Sequence, residues 1–184
     1  MQVKNHDDES SIMYKNSRSD KIQDLVFELL EANRDIERDQ PYIWSLKHIF
    51  SCSQICKILA LARGLDSEIA AIAGAIHDLA IIKTGKFKDH GPLSAPMVEE
   101  FLSNYNQEFG EKDGFLSQEE INQIVQATRN HTFKKVFSEN AFDELIKDAD
   151  SLDRFLHGKK TYDFYYKRSK NALKDVGLNI DNVL

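Results

Sequence analysis

Proline and glycine are scarce in this chain of 184 residues, with 3 of one and 8 of the other. Proline breaks a helix by removing an amide donor, and glycine loosens one through backbone entropy, so their scarcity leaves room for long uninterrupted helices. Cysteine is scarcer still. Cys52 and Cys56 are too few for the disulfide framework that staples small secreted domains. No run of roughly 18 apolar residues occurs, which argues against a membrane-spanning helix. The opening stretch MQVKNHDDESS lacks the apolar segment of a signal peptide, and the expected location is the cytoplasm. An excess of basic residues is also missing. With a net charge of −6, general affinity for polynucleotide phosphate is not expected, although a local basic patch can still hold a small phosphate ester.

What is present is the composition of a soluble globular domain, 41% hydrophobic and 29% charged, long enough to bury its own core. Residues 1–17 are polar and read as a mobile tail, leaving 18–184 as one domain. Ile22, Leu25, Val26, Leu29 and Leu30 recur at helical spacing, with Ser19 or Asp20 as the cap. A second helix follows Pro41 and stops at Gly64. Asp66 caps a third, SEIAAIAGAIHDLAII, apolar on most faces and therefore expected to be the most buried. After the polar loop 83–91, Pro92 opens a fourth helix, and a loop with Gly110 and Gly114 ends it. Ser117 and Glu120 form a capping box for a fifth. Two more run from about Ser138 and Lys160. Nothing alternates with a strand's period, so the chain is predicted to be all-α, a single compact domain of six to seven helices with residues 42–82 as its central pair.

The His77-Asp78 pair lies on the most apolar helix. Burying an imidazole and a carboxylate there is costly unless something satisfies them, and a metal ion or a mutual hydrogen bond would do so. The dipeptide alone is weak evidence: His6-Asp7 is another, in the polar tail, and is given no role. One helix earlier, His48 shares a face with Cys52 and Cys56 and is expected to point inward. Those two thiols read as core packing. Asp148 and Asp150, in LIKDADSLDRF, stand about 200° apart on a helix, so only one can face a site.

The order His…His-Asp…Asp on successive helices resembles the HD phosphohydrolase superfamily. The stretches that carry the resemblance are HIFSCSQICKILALARGLDSEIAAIAGAIHDLA and DADSLDRF, and it spans roughly residues 40–157. In that family's late motif the ligand matches the second Asp of Asp-Ala-Asp, here Asp150, which leaves Asp148 and Asp153 as structural residues. His90, in KDHGPLSAPMVEEFL, and His131, in VQATRNHTF, are similar to the extra histidines of two-metal members. Read from the residues alone, His90 is an exposed loop histidine and His131 a helix C-terminal residue favourable to the macrodipole. The resemblance implies an HD-like helical fold, one metal held by His48, His77, Asp78 and Asp150, and a second bridged through Asp78 and completed by His90 and His131. It makes Asp78 the central catalytic carboxylate.

Imidazole and carboxylate donors suit manganese, iron, cobalt, nickel or zinc better than calcium. The expected activity is hydrolysis of a nucleotide or other small phosphate ester by metal-activated water. Lys83, Lys86, Lys88, Arg129 and Arg154 are candidate phosphate contacts or plain surface charges. Tyr162, Phe164, Tyr165 and Tyr166 lie in a basic stretch that reads either as a solvated helix with an aromatic inner face or as a platform for a base. Two rivals stay open: di-iron oxygenase chemistry on the same ligands, and a non-catalytic metal- or nucleotide-binding module.

Overall fold

A computed structural model describes residues 17–160 and 162–179, so the N-terminal tail and its His6-Asp7 pair lie outside the described residues. Those described form eight helices and no strand: α1 (Ser17–Ala32), α2 (Tyr42–Arg63), α3 (Ser67–Ile76), α4 (Leu79–Thr84), α5 (His90–Asp113), α6 (Gln118–Asn130), α7 (Ala141–Leu156) and α8 (Asp163–Asp175). The fold is all-α, as the periodicity predicts. None of these helices is long and apolar enough to cross a membrane.

Helix α3 sits at the centre, against α1, α2, α6 and α7. Every residue from Ile69 to Ile76 is buried, which explains why this segment is apolar on all faces. Its start is set by Asp66, whose carboxylate accepts the amides of Glu68 and Ile69. Helix α2 turns Ile49, Cys52, Cys56 and Leu59 onto it and ends at Gly64, whose φ of 66° is the left-handed conformation that glycine adopts without strain. The two helices approach closely because Gly74 has no side chain. A Cβ there would lie 2.7 Å from Cys56 Sγ and 2.9 Å from the Cys52 carbonyl oxygen.

Three boundaries differ from the sequence reading. The stretch 67–82 is two helices, broken at His77-Asp78. The His77 ring nitrogen Nδ1 donates to the Gly74 carbonyl at 2.8 Å, while the Ala80 amide donates to Ser94 Oγ at 2.9 Å. Backbone groups that a continuous helix engages with one another are thus taken by side chains, and a turn forms. This break accounts for the eighth helix. Helix α5 starts at His90, ahead of Pro92, and holds Pro96 inside it. It also runs through Gly110, where the Phe115 ring occupies the space of a side chain. The expected capping box is present: Ser117 Oγ accepts the Glu120 amide at 3.2 Å, and Glu120 accepts the Ser117 amide at 2.6 Å.

Candidate metal centre

Helix ends deliver most of the histidine and aspartate cluster. His77 closes α3, Asp78 opens α4, His90 opens α5 and His131 closes α6. His48 and Asp150 come from the middles of α2 and α7. The structure brings these six residues together, all buried except half-buried Asp78 and His90.

Each imidazole is anchored through Nδ1. His77, His90 and His131 donate to the carbonyls three residues earlier, those of Gly74, Phe87 and Thr128, at 2.8, 2.6 and 2.6 Å. His48 donates instead to Asp153 Oδ2 at 2.5 Å. A carbonyl or a carboxylate only accepts, so Nδ1 carries the proton, and in the neutral ring Nε2 presents a bare lone pair. The four Nε2 atoms turn inward. Those of His48 and His77 are 3.2 Å apart, and those of His90 and His131 are 3.1 Å apart. Asp78 lies between the pairs. Its Oδ2 is 3.5 Å from His48 Nε2, and its Oδ1 is 3.3, 3.4 and 3.6 Å from His90, His131 and His77 Nε2. Asp150 Oδ1 closes the first pair, 3.4 Å from His48 Nε2.

Electron pairs aimed at one another at such distances repel unless a cation or proton stands between them. Asp78 Oδ1 is buried with no hydrogen-bond donor among the described residues. A buried carboxylate oxygen without a partner is costly, and the nitrogen and oxygen donors around it suit a divalent transition metal. The residues present therefore fit one.

The electrostatics of His77 and His131 agree. Burial lowers the His77 pKa to about 4 against the pull of Asp78, and burial likewise lowers His131, so both stay neutral and able to donate. Burial also works against a charged His48, but the hydrogen bond to Asp153 and the charges of Asp150 and Asp78 outweigh it and raise its pKa. Burial opposes the ionised forms of Asp78 and Asp150 too. The surrounding imidazoles hold Asp78 well below the carboxylate range, and Lys134 together with His48 and His77 lowers Asp150.

His48, Asp78, His90 and Asp150 line a cleft of about 540 Å³, whose walls include Gln40, Phe87, Phe133, Lys134, Arg154 and Tyr165, while His77 and His131 are buried and do not line it. Of the cations suggested by sequence, only Arg154 lines it. Lys83 points into a separate groove beside Leu29 and Phe101. Lys86 is drawn to Glu37 and Asp39, at 2.8 and 3.5 Å. Lys88 and Arg129 are exposed and do not line the cleft. Asp148 turns away from the cluster to Arg63 and Arg168, each at 2.7 Å, as the helical angle between it and Asp150 requires. Cys52 lies in the core with its sulfur beside His48 and His77. Its contact with Cys56 and its burial push the thiol pKa up, which favours the neutral form.

Two residues near the cluster carry no sequence signal for their place there. Lys134 is buried, with Nζ 2.5 Å from Asp150 Oδ2. Its backbone carbonyl accepts from the buried Arg168 Nε at 2.7 Å, which fixes the segment that carries it. Asp153, expected as a structural residue of α7, is buried with Oδ2 against His48 Nδ1. Asp89, just before His90, holds a φ of 54°, a strained conformation for a residue with a side chain, on the rim of the cleft.

Comparison with curated proteins and with solved structures gave no match. Comparison with known families gave the HD domain, matched over residues 45–155, a span that begins just before His48 and ends just after Asp153. The chain belongs to the HD-domain family.

Proposed function

We propose that this chain is a metal-dependent phosphoric ester hydrolase acting on a nucleotide or another small phosphate ester. Members of the HD-domain family are typically metal-dependent hydrolases, and the cluster of histidines and aspartates points to divalent metal binding. The observation that carries the finer reading is the convergence of four Nε2 atoms and two carboxylates in a cluster that opens, through His48, Asp78, His90 and Asp150, onto a cleft whose wall holds Lys134 and Arg154.

His48, His77, Asp150 and Asp78 would hold one ion, and Asp78, His90 and His131 a second. Such ions act as Lewis acids and bring the pKa of bound water towards about 7. The protein's own contribution is to fix the geometry. The Nδ1 hydrogen bonds hold each ring in one tautomer and orientation. Asp78 presents both oxygens to the cluster, Oδ2 towards His48 and Oδ1 towards His77, His90 and His131. The Arg154 guanidinium is a planar fork suited to phosphate oxygens, and Phe87, Phe133 and Tyr165 give the organic part of an ester an apolar surface. The free thiols of Cys52 and Cys56, one helical turn apart, fit a reducing compartment such as the cytoplasm. Net charge of −6 and a cleft of about 540 Å³ favour a small substrate over a polynucleotide.

The test is a screen of metal-loaded protein against nucleotides, p-nitrophenyl phosphate and bis(p-nitrophenyl) phosphate, with manganese, iron, cobalt, nickel and zinc. Hydrolysis that needs metal, stops with chelator and falls at least about 100-fold in His77→Ala and Asp78→Ala, with circular dichroism unchanged, is expected. Loaded protein that consumes dioxygen and cleaves no ester would replace this reading with the oxygenase chemistry of the same ligand set.

A further inference from the structure

The four imidazoles of the cluster are not held alike. Three rest on neutral backbone carbonyls, whereas His48 Nδ1 rests on a carboxylate, Asp153, at 2.5 Å. That carboxylate is deeply buried: Asp153 is 1% exposed and His48 is 3% exposed. The two lie 105 residues apart in sequence, so this contact exists only in the folded chain. The other Asp153 oxygen, Oδ1, has no hydrogen-bond donor among the described residues, and His157 has its Nε2 3.5 Å away. The negative charge is therefore directed mainly into the His48 ring. Trp44 stacks on that ring at a centroid distance of 5.3 Å and an interplanar angle of 16°, which holds its rotation. A carboxylate behind a metal-binding imidazole fixes the tautomer and raises the donor strength of the far nitrogen.

The two halves of the cluster differ further in their carboxylates. Asp150 Oδ1 lies 3.4 Å from His48 Nε2 in addition to Asp78, whereas among the described residues His90 and His131 have Asp78 as their one carboxylate partner. Lys134 offsets part of the Asp150 charge through Oδ2, but its field also falls on His131, so it does not favour the second half.

We propose that Asp153 is a positioning residue which, through His48, makes the His48–His77–Asp150 half of the cluster the first and tighter one to take up a divalent ion, with the His90–His131 half filling second. The inference rests on the two-metal reading of the cluster and is independent of the reaction catalysed.

Calorimetric titration of the full, chelator-stripped chain with Mn²⁺ tests it. The parent protein shows two steps, the first at least about tenfold tighter. Asp153→Asn, close to isosteric but uncharged, weakens the first step by about 10- to 100-fold and leaves the second within about threefold. Weakening of both steps equally, or of neither, overturns the proposal, because a merely structural role of Asp153 would not single out one half. A second measurement needs no variant. With less than one equivalent of the diamagnetic ion Zn²⁺, the Nε2 nitrogen resonances of His48 and His77 move to their metal-bound positions before those of His90 and His131. Simultaneous or reversed movement overturns the order. A chain that binds fewer than two ions overturns both this proposal and the two-metal reading. A chain that loads in this order yet cleaves no phosphate ester overturns the hydrolase reading alone.

Discussion

Arg154 sits in the cleft without an acceptor. Its guanidinium lies 5.9 Å from the Trp44 ring centroid and 5.7 Å from that of Tyr165, and no hydrogen bond or ion pair engages it among the described residues. Two aromatic faces hold the planar group in place while its donors stay unspent, an arrangement suited to an anion arriving with the substrate. Hydrogen bonds to a charged group are each worth about 1.5–3 kcal/mol. Arg154→Ala is therefore expected to raise KM for the hydrolysed ester by about 10- to 100-fold with metal content unchanged, and Arg154→Lys is expected to recover little because it lacks the fork. Steady-state kinetics with metal analysis checks this, and an unchanged KM would make Arg154 a packing residue. Arg154 was legible from its place one turn beyond Asp150. Lys134 was not. It is one of two adjacent lysines in a polar segment, and only the tertiary pairing with Asp150 and the hold of Arg168 on its carbonyl decide that Lys134 is buried while Lys135 is exposed.

At the scale of helices, the site depends on how closely α2 and α3 approach, because α2 carries His48 and α3 ends in His77. Gly74 sets that approach. A methyl group there meets Cys56 Sγ at 2.7 Å and the Cys52 carbonyl oxygen and Ser53 Cα at 2.9 Å, and two of those three are backbone atoms that cannot rotate away. Overpacking of this kind costs about 1–3 kcal/mol. Gly74→Ala is expected to lower Tm by several degrees in the metal-free protein, by thermal melts followed with circular dichroism. A Tm equal to the parent's would show that the interface gives more easily than this packing implies. Periodicity made the helices themselves legible, and the caps at Asp66 and Ser117 could be placed from their side chains. The break at His77-Asp78 could not, because it arises from a ring nitrogen taking the Gly74 carbonyl and from Ser94, 14 residues on, taking the Ala80 amide. Gly110 reads as a loop residue by propensity alone, yet it lies inside α5 because Phe115 packs over it.

Across the whole molecule, most of the candidate centre was legible because its residues fall in a fixed order on successive helices, and that order survives without knowledge of how the helices pack. What supports them was not legible. The Asp153–His48 contact spans 105 residues, and Asp153 gives no sign in sequence that distinguishes it from a solvated helix residue. Helix α8 is similar: its basic residues read as surface charge, yet Arg168 is buried, bonded to Glu144 and Asp148 at 2.8 and 2.7 Å, and anchors the segment that follows His131. The central claim is that this fold assembles a two-metal centre around Asp78. Anomalous diffraction from crystals of manganese-loaded protein tests it most directly. The account predicts two anomalous peaks per chain, about 3.5–4 Å apart, one among His48, His77 and Asp150 and one between His90 and His131, with Asp78 touching both. A single peak, or peaks away from these residues, would contradict it.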